Sequence, residues 1–276
     1  MPSDSPASPL LPVALSIAGS DSSAGAGIQA DLKTFAACGV YGATAITAIT
    51  AQNTQGVADV EVMQAALVAA QIQAVVNDMP VAAVKTGMLA NRETVMRVAQ
   101  ELETLDLPLV VDPLMVSSSG RVLLASDAVA TMKSALIPLA ALITPNIDEA
   151  AALLGQPRAQ DLPEVIEQAL ALLGLGSDAV LLTGGHLPGE ESVDVFCSAD
   201  GLQLLRSPKL THSHTHGTGC TLSAAACAYL ALGKPALEAC RAAKAYVQQA
   251  LQAAPKLQVG RGRGPLNHFY ARKEFL

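Results

Sequence analysis

The chain has 276 residues, of which 51% are hydrophobic and 3% aromatic, and its formal net charge is −7. This length is enough for one large α/β domain or two small ones. The acidic balance, the few aromatic side chains and the lack of a basic stripe argue against a nucleic-acid partner. No apolar run approaches the ~18 residues that span a bilayer, so we expect no membrane partner.

The chain carries five cysteines, an odd number without a CxxC pair, which favours a reducing compartment. The first residues lack the basic segment of a signal peptide, so we expect a flexible tail over residues 1–11 and a cytoplasmic location. No linker or internal repeat interrupts the remainder. We therefore expect a single domain over residues 1–276.

Apolar, β-rich runs alternate with alanine-rich helical segments along the chain. The predicted strands are residues 13–18, 43–49, 81–84, 108–111, 141–143 and 179–182. The predicted helices are residues 26–38, 63–76, 92–102, 222–232 and 235–253. Continuous apolar strands between helices predict an α/β fold with a mostly parallel sheet covered on both faces. Two short runs, 193–197 and 202–205, flank Ala199-Asp200-Gly201 and predict a hairpin at an antiparallel edge.

Polar clusters follow the predicted strands, where open α/β sheets bind their ligands. They are Gly19-Ser20-Asp21, Gln52-Asn53, Lys85-Thr86-Gly87-Met88, Asp112-Pro113, Thr144-Pro145-Asn146, Thr183-Gly184-Gly185-His186 and the turn 217–220. We expect these clusters to line one extended site.

The turn 217–220 stands directly before a helix of small residues. Gly217 and Gly219 would let the backbone approach a ligand, and the helix N-terminus favours an anion such as phosphate. A thiol within such a turn, Cys220, suggests a catalytic role rather than anion binding alone. The alternative is a glycine-rich loop capped by Thr218 or Thr221.

Three polar side chains suggest a metal–phosphate site. Asn146 and Glu149 lie three residues apart at a predicted helix start and project from one side of its first turn. Oxygen ligands beside a phosphate suit Mg²⁺, although Glu149 could also complement the helix dipole. Asp112 could orient a metal-bound water or cap its turn.

The amide of Gln52 offers an acceptor beside a donor, which matches a ring nitrogen beside an exocyclic amine. It could equally cap a helix or bind a loop carbonyl. Asp31 could accept hydrogen bonds from a ligand or simply be a solvated surface residue. Met88 could pack a heterocycle or belong to the core.

Two other patterns carry less weight. Residues 25–30 match the dinucleotide fingerprint, but a seven-residue loop separates them from the strand, and Gln52 replaces the expected acidic residue. His212, His214 and His216 alternate, as a metal ligand set could, yet no companion cluster with ligand spacing appears.

Taken in order, these motifs resemble the hydroxymethylpyrimidine/phosphomethylpyrimidine kinase family of thiamine biosynthesis, within the ribokinase-like superfamily. The matching runs are residues 16–21, 25–35, 46–48, 51–54, 85–89, 110–113, 142–146, 183–186 and 215–221. The resemblance implies a three-layer α/β/α fold, a homodimer, and ATP- and Mg²⁺-dependent phosphorylation. The expected substrate is 4-amino-5-hydroxymethyl-2-methylpyrimidine, followed by its monophosphate.

The resemblance also implies residue roles. Gln52 would bind the aminopyrimidine, with Gly19, Asp31 and Met88 lining the same pocket. The turn of Gly217, Thr218 and Gly219 would hold the transferred phosphoryl group. Further roles follow for nucleotide and metal binding, namely Asn146, Thr183 and Gly185 for the nucleotide, and Glu149 and Asp112 for the metal.

Cys220 stands where many sugar kinases of the superfamily carry an aspartate base. A helix N-terminus can lower a thiol pKa from its usual ~8.5, so the resemblance predicts a thiolate base. The chain departs from the family pattern at Ser22 and Ala24, where Pro and Gly are common. It also departs at Ser118, where Lys or Thr is usual, and at Thr183, where Lys is often found. A pyridoxal-type kinase, a non-catalytic pyrimidine sensor and a nicotinamide enzyme are the alternatives.

Overall fold

A computed structural model of the protein describes residues 11–116, 120–185 and 187–272, and within these ranges nine strands form one sheet. The strands are β1 (Val13–Asp21), β2 (Tyr41–Asn53), β3 (Gly56–Val62), β4 (Val81–Thr86), β5 (Leu109–Val111), β6 (Leu142–Ile143), β7 (Ala179–Leu182), β8 (Glu191–Ser198) and β9 (Gly201–Pro208). Their order is β3-β2-β1-β4-β5-β6-β7-β8-β9. The expected N-terminal tail lies, except for Leu11, outside the described residues.

The helices connect the strands and cover both faces of the sheet. They are α1 (Gly27–Ala37), α2 (Ala65–Val76), α3 (Arg92–Glu103), α4 (Ser126–Thr131), α5 (Ile147–Leu154), α6 (Leu162–Leu173), α7 (Thr218–Ala231) and α8 (Ala236–Ala253). A π-helical turn, Met132–Leu136, and a 3₁₀ turn, Ile137–Leu139, follow α4. In the described residues, no helix is long and apolar enough to cross a membrane.

The six central strands are parallel, and antiparallel strands close both edges. The edge formed by β8 and β9 confirms the predicted hairpin. The opposite edge, β3, was not predicted, although residues 57–62 alternate between apolar and polar side chains in part. Gln52 and Asn53 were expected after the strand; instead they are its last residues, because β2 continues into the β2–β3 hairpin.

The sheet separates two hydrophobic cores, as the predicted three-layer architecture requires. On one face, Leu15 and Ile17 pack with residues from α2, α3, α5 and α6. On the other face, Ala14 packs with α7, α8 and Phe35 of α1. Because α7 consists largely of alanine and other small residues, its backbone can lie close to the strand ends of the site.

Candidate active site

The loop after β1 is folded around the carboxylate of Asp21. This carboxylate accepts hydrogen bonds from the Ser23 hydroxyl at 2.7 Å and from the backbone N–H groups of Ser23, Gly25 and Ala26 at 2.8, 3.1 and 2.8 Å. Although burial alone would raise it, hydrogen bonds from His216, Ser23 and Ala26 lower the pKa of Asp21. Asp21 is therefore ionised at neutral pH and organises the loop.

A second loop, which leads into α7, is locked against the first. His216 Nε2 lies 2.9 Å from Asp21 Oδ2. Gly217 has φ +83, and a Cβ atom at this position would overlap the carbonyl oxygen of Gly25. Glycine is required here for both its left-handed backbone and the close approach of the two loops.

The glycine turn is the beginning of α7 itself. Gly217 is the N-cap residue, and Thr218, Gly219 and Cys220 form the first turn, whereas the helix was predicted to begin at residue 222. The hydroxyl groups of Thr218 and Thr221 donate to the carbonyl oxygens of Thr215 and Gly217 at 2.8 Å. The N-cap residue, Gly217, makes no side-chain cap, and the Thr218 N–H donates to the Thr215 carbonyl at 3.3 Å. A helix start without a side-chain cap suits an anion ligand.

A buried ion pair lies beneath the site. Lys85 Nζ is 2.8 Å from both carboxylate oxygens of Asp31, and both side chains are 0% exposed. Ser16 donates a further hydrogen bond to Asp31 at 2.6 Å. Burial alone would lower the pKa of Lys85, but the Asp31 carboxylate raises it, so the lysine is charged.

This position of Asp31 differs from both expectations drawn from the sequence. Burial excludes a solvated surface residue. Its two oxygens are already bound by Lys85 and Ser16, so the expected contact with a ligand is replaced by a contact with a buried cation. In this structure Asp31 holds Lys85 in place.

Cys220 is 7% exposed, and its thiol lies in the electric field of Lys85, Asp112 and Asp31. Burial raises the pKa of Cys220 to about 12, although Lys85 acts in the opposite direction. The expected lowering by the helix N-terminus is therefore wrong for the ligand-free protein. Desolvation of the thiolate outweighs the helix dipole, and the side chain is a thiol at neutral pH.

Asn146 and Glu149 form a capping box at the start of α5. Asn146 Oδ1 accepts from the backbone N–H groups of Asp148 and Glu149, and Glu149 Oε2 accepts from the Asn146 N–H, each at 2.9 Å. Burial, and then the negative charge of Asp112, raise the pKa of Glu149 to about 8. The Ser223 hydroxyl donates to Asp112 at 2.9 Å.

The donor set of Glu149 and Asp112 fits a hard divalent cation. Burial raises the pKa of both carboxylates, and the charge of Asp112 raises the pKa of Glu149 further, so both gain from a nearby positive charge. The described residues contain no group of three or more His, Cys, Asp or Glu side chains placed to hold a metal. Mg²⁺ needs only one or two protein carboxylates, because it keeps several waters.

The remaining nucleotide-side candidates lie at neighbouring strand ends. Asn146 and Thr183 form an isolated parallel bridge, and the Thr183 N–H donates to Pro145 at 2.9 Å. At Gly185 a Cβ atom would meet only Ser192 Oγ at 3.5 Å, whereas at Gly184 it would overlap the Val193 carbonyl oxygen. The close backbone approach therefore requires glycine at position 184, and the nucleotide-binding role of Gly185 stays a prediction.

Three of the residues predicted to bind the pyrimidine lie near the loop after β1: Gly19 lies beside Met88, and Gln52 contacts Ser22. A Cβ atom on Gly19 would come within 3.1 Å of Met88 Sδ, so this glycine makes room for the methionine. The Ser22 hydroxyl donates to the Gln52 carbonyl at 2.7 Å and accepts from its N–H at 2.8 Å. The Gln52 side chain reaches His216, with 3.3 Å between their Nε2 atoms.

Sequence reasoning did not assign roles to Asp21, Lys85 and His216. Asp21 and Lys85 belong to the predicted polar clusters, and His216 to the alternating histidines, but their partners are distant in the chain. Ser118 and His186 lie outside the described residues. In the alternating histidine run, His216 contacts Asp21 and Gln52 rather than a metal ligand set.

A buried histidine contacts Thr221 of α7, and its burial should make stability depend on pH. His268 Nε2 is 3.1 Å from the Thr221 hydroxyl, and burial lowers the pKa of His268 to about 4. The unfolded chain binds this proton near pH 6.5, so the free energy of unfolding should fall as pH decreases from about 6.5 to 4. Urea unfolding at pH 7 and pH 5 should show a smaller difference for His268→Gln than for the wild type. An equal difference in both proteins would contradict the prediction.

Comparison with known proteins shows which family this chain belongs to. The sequence profile described as phosphomethylpyrimidine kinase matches residues 21–267. The chain belongs to this family. It is 53% identical to a hydroxymethylpyrimidine/phosphomethylpyrimidine kinase of Rhizobium meliloti (strain 1021), over 94% of this chain and 97% of the relative. Members of the family are phosphotransferases.

Two solved structures support the same fold. A pyridoxal kinase of Bacillus subtilis, solved as an ADP complex, superimposes with a TM-score of 0.87 at 36% identity, covering 95% of this chain and 99% of that one. A phosphomethylpyrimidine kinase of Clostridium difficile 630 superimposes with a TM-score of 0.77 at 43% identity, covering 87% and 99%. The phosphomethylpyrimidine kinase family thus shares its architecture with pyridoxal kinases.

Proposed function

We propose that this chain is an ATP-dependent kinase that phosphorylates 4-amino-5-hydroxymethyl-2-methylpyrimidine and then its monophosphate, in thiamine biosynthesis. The observation that carries the proposal is the position of Gln52. Its amide lies 3.3 Å from His216, the residue that precedes the anion-binding start of α7. A side chain suited to an aminopyrimidine thus stands next to a site suited to a phosphoryl group.

Each part of the site has a role in this reaction. Gly19 and Met88 would pack the ring, and the N–H groups of the first turn of α7 would stabilise the charge on the transferred phosphoryl group. Asn146, Thr183 and the segment of Gly184 and Gly185 would face the nucleotide. Glu149 and Asp112 would hold Mg²⁺, which supplies charge neutralisation to the phosphates. A cytoplasmic homodimer remains part of the proposal.

In the transfer, the substrate hydroxyl oxygen attacks the γ-phosphorus, the bond to ADP breaks, and the hydroxyl proton goes to a base. We assign this base to Cys220. Because the thiol is protonated in the ligand-free protein, it must first release its own proton to solvent, and the charge of Lys85 favours the resulting thiolate, which can then accept the substrate proton. Positioning and charge stabilisation should carry most of the catalysis, since phosphoryl transfer demands little of a base.

Cys220→Ala is expected to lower kcat by about 100-fold, the lower end of the range for general acid–base catalysis. Cys220→Asp should retain part of the activity because a carboxylate can accept the proton. Steady-state kinetics at saturating Mg-ATP measure both variants, with Cys227→Ala as the control, a buried cysteine of the same helix in the core beneath the sheet. Near-full activity of Cys220→Ala would remove the thiol from the mechanism.

A second candidate function is pyridoxal phosphorylation, favoured by the fold shared with the Bacillus subtilis pyridoxal kinase. The discriminating experiment incubates the protein with Mg-ATP and either the aminopyrimidine alcohol or pyridoxal and identifies the products by mass spectrometry. Sequential mono- and diphosphate from the pyrimidine supports the proposal. Pyridoxal phosphate alone overturns the assignment of Gln52, and no product from either substrate favours a non-catalytic sensor.

A further inference from the structure

We propose that His216, held by Asp21, is a positioning residue that fixes which way the Gln52 amide faces, and thereby turns the reacting hydroxyl of the substrate toward the start of α7. This inference deepens the proposed function and rests on its pyrimidine substrate. The inference follows from counting which groups around the Gln52 amide can donate a hydrogen bond and which can only accept one.

Four polar groups form a chain through the Gln52 side chain. Thr50 Oγ1 lies 2.8 Å from the carbonyl oxygen of Ser20 and 3.1 Å from Gln52 Oε1. At the other end of the amide, Gln52 Nε2 lies 3.3 Å from His216 Nε2. His216 Nε2 in turn lies 2.9 Å from Asp21 Oδ2.

The Thr50 hydroxyl has one proton, which belongs to the Ser20 carbonyl. A carbonyl oxygen can only accept, so at 2.8 Å the hydroxyl must donate to it. Thr50 Oγ1 then offers only lone pairs to its second neighbour, which must be a donor. The amide atom on this side is therefore the nitrogen of Gln52 and not its oxygen.

The His216 side of the amide leads to the same assignment. Asp21 is an ionised acceptor, since its hydrogen bonds keep its pKa low, so His216 Nε2 carries a proton and donates it at 2.9 Å. An N–H that faces a second neighbour at 3.3 Å requires an acceptor there. Oxygen and nitrogen of an amide have nearly the same shape, and the hydrogen-bond network decides between them. The hydrogen bonds on both sides of the amide therefore require that Gln52 Oε1 faces His216 and Nε2 faces Thr50.

This direction decides how the pyrimidine must lie. After the bonds to His216 and Thr50, the amide keeps one acceptor position on the His216 side and one N–H on the Thr50 side. The exocyclic amine of the substrate must then lie on the His216 side, and the ring nitrogen on the Thr50 side. In this pyrimidine the carbon that bears the amine stands between the ring nitrogen and the carbon that bears the hydroxymethyl group. The hydroxymethyl group therefore lies beyond the amine, toward His216 and the first turn of α7.

The test uses a substrate with the opposite hydrogen-bond pattern. In the 4-oxo analogue, 5-hydroxymethyl-2-methylpyrimidin-4-one, a carbonyl replaces the amine and the neighbouring ring nitrogen carries a proton. The wild type should prefer the amine to the oxo compound. In His216→Phe one of the two groups that fix the direction of the amide is lost, so the ratio of kcat/KM for amine over oxo should fall at least about tenfold.

Thr50 provides a matched pair at the other end of the amide. Thr50→Val removes the acceptor and should lower the same ratio, whereas Thr50→Ser keeps the hydroxyl and should leave the ratio unchanged. If His216→Phe fails to fold, the amine-over-oxo ratios of Thr50→Val and Thr50→Ser test the inference. Equal losses for both substrates, with the ratio unchanged in His216→Phe and Thr50→Val, would overturn the inference and leave His216 as a brace between two loops. A wild type that does not phosphorylate the amine compound refutes the proposed function, and this inference with it.

Discussion

Lys85→Met is expected to lower the free energy of unfolding by about 3–5 kcal/mol, because it leaves the Asp31 carboxylate buried without a cation. Both side chains are 0% exposed, so water cannot replace the lost partner. The double variant Lys85→Met/Asp31→Asn removes both charges and should recover most of the loss. Urea unfolding at pH 7 measures the free energy of unfolding of the wild type, of Lys85→Met and of the double variant.

The matched control is a surface ion pair of the same kind. Arg241 and Glu238 are also 2.8 Å apart, but their side chains are 48% and 54% exposed. Arg241→Met should therefore change stability by less than about 1 kcal/mol. If Lys85→Met costs as little as Arg241→Met, the buried pair does not stabilise the fold in the way its burial indicates.

Gly217→Ala is expected to lower kcat by at least about 100-fold. The added methyl group would overlap the Gly25 carbonyl oxygen, so the first turn of α7 must move away from the loop after β1. Removing a single oxyanion donor from an active site costs about 10²–10³ in rate, and this movement displaces several N–H groups together. The phosphorylation rate at saturating substrates, measured with the folded variant, tests this expectation.

A second glycine separates the effect of backbone strain from that of the lost contact. Gly233 has φ +79, close to the +83 of Gly217, but a Cβ atom there would meet nothing within 4 Å. Gly233→Ala should cost about 1–2 kcal/mol of stability, as a left-handed alanine does, and leave kcat unchanged. A similar fall in kcat for both variants would show that strain alone, and not the loop contact, explains the effect.

The regular elements were largely predictable because their signals are local. Helices α1 and α8 and strand β7 agree with the prediction to within about two residues, since apolar periodicity and chain length define them. Strand β3 was missed because its edge position leaves only weak alternation. The start of α7 was placed late, because Gly217 and Gly219 indicate a turn in the sequence although the second of them is helical.

The sequence predicted which strand ends form the candidate site, but not which side chains there bind each other. Parallel strands bring their carboxyl ends to one edge, so the polar clusters after them had to meet. Which side chains bind each other could not be read from spacing. Lys85 and Asp31 are 54 residues apart, and His216 and Asp21 are 195 apart.

The sequence alone determined the fold class, the family resemblance and the residue types of the candidate site, because each depends on local pattern and chain order. The tertiary structure decided the properties that depend on packing. It buries Asp31 against Lys85 and raises the pKa of Cys220 to about 12, where the sequence suggested a contact with substrate and a thiolate. Desolvation and distant charge partners are set by how the layers pack, and no spacing along the chain encodes them directly.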